Sequence, residues 1–75
     1  MGDEPHEYWQ HLSPDEVEPG NWLVEIDGYR VRGGMMEVRE VRNPRPETWE
    51  FMPTRKTRSS RFAYSGQAVK VSRTL

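Results

Sequence analysis

Hydrophobic and polar residues alternate with a period of two over most of the chain after residue 20, the spacing a half-buried β-strand requires. In Asn21–Ile26, Trp22, Val24 and Ile26 alternate with Leu23 and Glu25. Asp27-Gly28 follows as a tight hairpin turn, because glycine tolerates the positive φ such a turn needs. A second strand starts at Tyr29, is interrupted by the bulge-forming pair Gly33-Gly34 and resumes at Met35, running to about Arg42. Met36 and Val38 share a face of it, and Val41 is out of phase, which predicts a further bend near Arg39. After the proline-rich turn Asn43–Glu47, strands are predicted over Thr48–Met52, Ser60–Tyr64 and Ala68–Ser72. The inward set is then Trp22, Val24, Ile26, Val31, Met36, Val38, Trp49, Phe51, Phe62, Tyr64, Val69 and Val71.

The first twenty residues read differently. Ser13-Pro14-Asp15-Glu16 carries a helix-start signal, with Ser13 as cap, Pro14 at the first helical position and Glu16 closing a capping box. Pro19-Gly20 limits it to one turn. Residues 1–12 form an acidic, partly flexible arm, with Tyr8, Trp9 and Leu12 as its apolar anchor, and residues 13–75 form the domain. The fold class is therefore mainly β: a five-stranded small barrel with a short N-terminal helical turn.

The order Pro19-Gly20, strand, Asp27-Gly28, bent strand, two further strands, a one-turn break and the closing Val69-Lys70-Val71 strand resembles an SH3-like small barrel. It is similar to the Tudor and KOW branches, the latter through Gly20, Val24, Ile26, Gly28 and Val38. The glycine spacing after Gly28 departs from a KOW motif, and Met35 and Met36 stand where basic residues are usual. The resemblance implies binding to RNA, ribosomal proteins or polymerase. It supplies no Tudor aromatic cage, and a shared fold does not by itself transfer a function.

Composition narrows the picture. Only 33% of the 75 residues are hydrophobic, and a chain of this size buries only roughly 60% of its unfolded surface. Without cysteine there is no disulfide and no thiolate metal site, so self-association or a partner chain is the expected reinforcement. His6 and His11, five apart, do not share a helical face, so no metal and no cofactor are expected. No apolar run approaches a membrane span or a signal-peptide core, which points to the cytoplasm and away from a membrane.

Charge gives the clearest functional hint. Residues 1–29 hold eight acids and no Lys or Arg (−8), whereas residues 30–75 hold eleven bases and four acids (+7), which together give the net charge of −1. The segment Pro53–Phe62 contains Arg55, Lys56, Arg58 and Arg61, no acid and four hydroxyl residues. Guanidinium forks and hydroxyls suit phosphate oxygens, and Phe62, Tyr64 and Trp49 supply stacking faces. Arg30 and Arg32 share a strand face by period two and extend the patch, while Arg39 and Arg42 pair with Glu37 and Glu40 as a solvated face. Trp22 and Trp49 are assigned to the core, and Trp9 either covers a barrel end or anchors a partner. Of Met35 and Met36, one packs in the core and the other faces a dimer contact.

Nothing supports catalysis: there is no cysteine nucleophile, no phosphate-cradling glycine loop and no Gly-x-Ser-x-Gly elbow. The expected function is a non-catalytic nucleic-acid-binding module, for RNA or single-stranded DNA, using Arg55, Lys56, Arg58 and Arg61 with Arg30 and Arg32. The alternative is a protein-interaction module or small regulator of a larger complex, using the acidic part with Tyr8, Trp9 and Leu12 and an exposed strand edge. A homodimer is the third expectation. No small-molecule substrate is expected.

Overall fold

The computed structural model describes residues 9–72. Expectations about residues 1–8, including the flexible acidic arm and Tyr8, lie outside the described residues. Seven strands form one antiparallel sheet: β1 (Trp9–Leu12), β2 (Trp22–Ile26), β3 (Tyr29–Arg30), β4 (Met36–Arg45), β5 (Thr48–Pro53), β6 (Arg61–Tyr64) and β7 (Val69–Ser72). The order is β1-β7-β2-β4-β5-β6, with β3 beside β2. Mainly β is thus correct, whereas the five-strand count is not. The sheet bends but does not close, and β1 and β6 remain as edges.

Each difference has a local cause. Residues 9–12, assigned to the arm, pair along their length with β7, from Trp9 opposite Ser72 to Leu12 opposite Val69. Leu12 packs on the core and Lys70 Nζ lies 3.9 Å from the Trp9 ring centroid, which explains why this stretch is a strand. No α-helix occurs among the described residues. Pro14–Glu16 makes one 3₁₀ turn, in which the Glu16 carboxylate accepts from the Ser13 N–H and hydroxyl, each at 3.0 Å, before Pro19-Gly20 ends it. The expected bent second strand is split: β3 is only two residues long, and Gly33-Gly34 lies in a turn between strands.

The corner is made instead within β4. Its register with β5 shifts between Val38 and Glu40, which brings Val41 opposite Phe51 and accounts for the phase break seen near Arg39. The first part of β4 pairs with β2 and the second with β5, so this ten-residue strand serves both halves of the sheet. Asp27 (φ 55°) and Gly28 (φ 83°) form the expected hairpin turn.

The core is Val17, Leu23, Val31, Met36, Val38, Phe51, Ala63, Val69 and Val71, with Leu12, Ile26, Val41 and Trp49 packed partly against it. Two strands depart from the expected inward set: β6 presents its opposite face, and in β2 a register shift between Leu23 and Glu25 turns Leu23 inward together with Ile26. In β2, Leu23 is fully buried while Trp22, Val24 and Ile26 are half-buried. In β6, Ala63 is fully buried, whereas Phe62 and Tyr64 are 46% and 52% exposed. The register explains β6: Ala63 lies opposite Trp49, which packs on the core, and Phe62 lies opposite Glu50 on the other face.

Candidate functional site

The basic loop between β5 and β6 does not project as a free finger. It is bent back onto the Gly33-Gly34 turn by Arg58, whose guanidinium donates to the carbonyl oxygens of Met35 (2.7 Å), Arg32 (2.8 Å) and Gly34 (2.9 Å). Gly33 (φ 88°) and Gly34 (φ 93°) take backbone conformations that glycine permits, which turns these carbonyls toward one point. A Cβ on Gly33 would lie 3.2 Å from Arg58 Nη2. Arg61 adds a bond to the Arg32 carbonyl at 3.2 Å. At the other end of the loop, Thr54 donates its N–H to the Glu37 carbonyl at 3.1 Å. The loop is thus stapled at both ends by backbone acceptors.

This staple divides the six predicted phosphate-binding residues. Arg58, Arg61 and the backbone of Arg32 are brought together around the glycine turn, and Arg58 is half-buried there. Arg55 and Lys56 sit on the exposed side of the loop, and among the described residues neither makes an ion pair or side-chain hydrogen bond. Arg30 belongs to β3, opposite Glu25. Arg30 and Arg32 do not share a strand face, because β3 ends before Arg32. Among the described residues no carboxylate forms an ion pair with the loop: the ion pair found there is Arg42–Glu40, at 3.0 Å on the distant part of β4. There the Arg42 guanidinium, hydrogen-bonded to Glu40, holds that carboxyl below the usual range, and Glu40 raises Arg42 in return. Arg39 and Glu37, expected to join that pairing, do not.

Between the loop and the solvent face of β2 and β4 runs a groove of about 350 Å³, lined by Trp22, Met35, Glu37, Thr54, Arg55 and Arg58 among others. Trp22 and Glu37 are direct cross-strand partners, so their side chains share a face. Sequence reasoning missed this groove, because it placed Trp22 in the core and Glu37 in a charge pair. Its one legible signal was the methionine pair: Met36 is buried and Met35 is 43% exposed at the rim.

Of the residues of the alternative reading, Tyr8 lies outside the described residues, and Trp9 and Leu12 are used within the fold. Trp9 is half-buried beneath Lys70 and Leu12 packs on the core. Exposed apolar surface lies instead on edge strand β6, where Phe62 and Tyr64 border a shallow depression with Pro44, Arg45, Thr48 and Glu50. Among the described residues no cluster of His, Asp or Glu side chains of metal-binding size occurs, and no helix is long and apolar enough to cross a membrane.

No family model matches the chain, and no curated protein and no solved structure matches it. The fold is established as a small all-β antiparallel domain compatible with a small barrel-like architecture.

Proposed function

We propose that this chain is a small, non-catalytic module of SH3-like descent that binds single-stranded nucleic acid, RNA or single-stranded DNA, through the loop between β5 and β6. The observation that supports this reading is the exposed positive loop: among the described residues Arg55 and Lys56 have no acidic partner, and they stand on a backbone that Arg58 fixes through three carbonyl oxygens. Preorganised cations lose less freedom on meeting a phosphate chain than those of a floppy loop. Arg58 and Arg61 add positive field while serving the fold, and both meet the Arg32 carbonyl at the edge of the site. The absence of an α-helix among the described residues favours a single strand over a duplex read through its major groove. Titration of labelled single-stranded RNA and DNA by fluorescence anisotropy tests this: binding at low salt that weakens steeply as salt rises is expected. No binding, or binding indifferent to salt, refutes it.

A second reading, a protein-interaction module, is favoured by β6. Tyr64 donates its N–H to the Gln67 side chain at 2.9 Å, so that N–H faces away from β5. By the period of two, Phe62 presents its backbone groups on the same open edge, beside two exposed aromatic rings. A partner strand could add there by β-augmentation. Capture of a stoichiometric protein partner that survives nuclease treatment, and is lost in Phe62→Asp, would support this reading over the first.

A further inference from the structure

The groove beside the loop has a chemistry that phosphate binding alone leaves unused. Glu37 sits in it between cationic neighbours, yet among the described residues its carboxylate accepts no hydrogen bond and forms no ion pair. Arg58 is committed to backbone carbonyls, and Arg55, exposed at the groove's side, forms no ion pair with Glu37. The Glu37 carbonyl bonds to the Thr54 N–H, away from β2. The Trp22–Glu37 pair is therefore a non-hydrogen-bonded one, the type that brings side chains closest. The result is a half-buried indole beside an acceptor-only carboxylate, with the Met35 thioether at the rim and the Arg55 guanidinium at the loop side.

We propose that this groove takes one guanine base of a bound single strand, its ring against Trp22, its N1–H and N2 amino group donated to the Glu37 carboxylate, and an adjoining phosphate on Arg55. The inference rests on the nucleic-acid reading and adds a base preference to it. A carboxylate offers two acceptors side by side. Guanine alone among the common bases presents two adjacent donors on its Watson–Crick edge. Adenine and cytosine set one amino group beside a ring-nitrogen acceptor, and uracil flanks its one N–H with carbonyl oxygens, which a carboxylate repels. Single-strand readers use such edge contacts together with aromatic stacking.

The test compares a nine-nucleotide RNA of uridines carrying one central guanosine with an all-uridine nine-mer, by fluorescence anisotropy at low salt on the whole chain. The guanosine oligonucleotide is expected to bind about tenfold tighter, within the range of one bidentate base contact. Replacing guanosine by inosine, which lacks the N2 amino group, removes most of that preference. Glu37→Gln, an isosteric change on a solvent-facing side chain, reduces it to within about threefold, without weakening all-uridine binding. A urea midpoint of Glu37→Gln equal to that of the parent shows that the fold is intact. Equal binding of the two RNAs, or a preference unaltered in Glu37→Gln, overturns the base assignment while leaving the basic-loop reading in place. Failure of both RNAs to bind overturns the two together.

Discussion

Arg55 and Arg58 are the same residue type three positions apart, and the fold uses them in opposite ways. Arg58 spends three of its N–H donors on backbone carbonyls, whereas Arg55 has no partner among the described residues. Hydrogen bonds to a charged group contribute about 1.5–3 kcal/mol. Arg58→Ala should therefore lower stability by roughly that amount in a urea titration, and Arg55→Ala should stay within about 0.5 kcal/mol of the parent. Gly33→Ala attacks the same staple from the other side, since alanine at φ 88° is strained and its Cβ crowds Arg58 Nη2. A loss of about 1–2 kcal/mol is expected by the same measurement. The Glu40–Arg42 pair makes a smaller, pH-dependent contribution. The Glu40 carboxyl is held below its ordinary range in the folded chain, so its stabilisation is present above the unfolded-state value and fades as pH falls through the folded one. Thermal melts of Glu40→Gln and the parent should differ slightly near neutral pH, as for any exposed pair, and converge in acid.

At the scale of elements, the alternation of residues located most of the strands but not always their faces. Where one strand face was uniformly apolar and its neighbours polar, as with Val69 and Val71, the inward side was legible and Val69 and Val71 are fully buried. In β2 every residue but Glu25 is apolar, so periodicity could not choose, and the large Trp22 drew the assignment away from Leu23. In β6 the aromatic residues outweighed Ala63, although it is Ala63 that pairs with Trp49 on the core side. The difference is measurable: Phe51→Ala should cost about 3–5 kcal/mol, as deletion of a buried aromatic does. Phe62→Ala should cost well under half of that in the same denaturation assay, and comparable losses would return Phe62 to the core. β1 and the split between β3 and β4 were illegible for another reason. β1 depends on pairing with the distant β7, and β4 on pairing first with β2 and then with β5, which no local pattern encodes.

Across the whole molecule, the uneven charge along the chain becomes a spatial arrangement. The basic loop was the most conspicuous feature of the sequence, and its composition was read directly. Its shape was not, because the Arg58 staple joins residues more than twenty positions apart. The same long-range folding creates the groove, where β2, β4 and the loop meet. One bent sheet with a thin core thus supplies a rear wall, a cationic loop fixed by Arg58 and an open edge at β6. The central claim is that Arg55 and Lys56 are the cations left for a polyanion. The most direct test is the salt dependence of binding to a single-stranded oligonucleotide by the parent and by the Arg55→Ala/Lys56→Ala double variant, with equal stability confirmed beforehand. Loss of two phosphate contacts should weaken binding and reduce the magnitude of the log–log salt slope by about 1.4. An unchanged affinity and slope in a folded double variant would contradict the account.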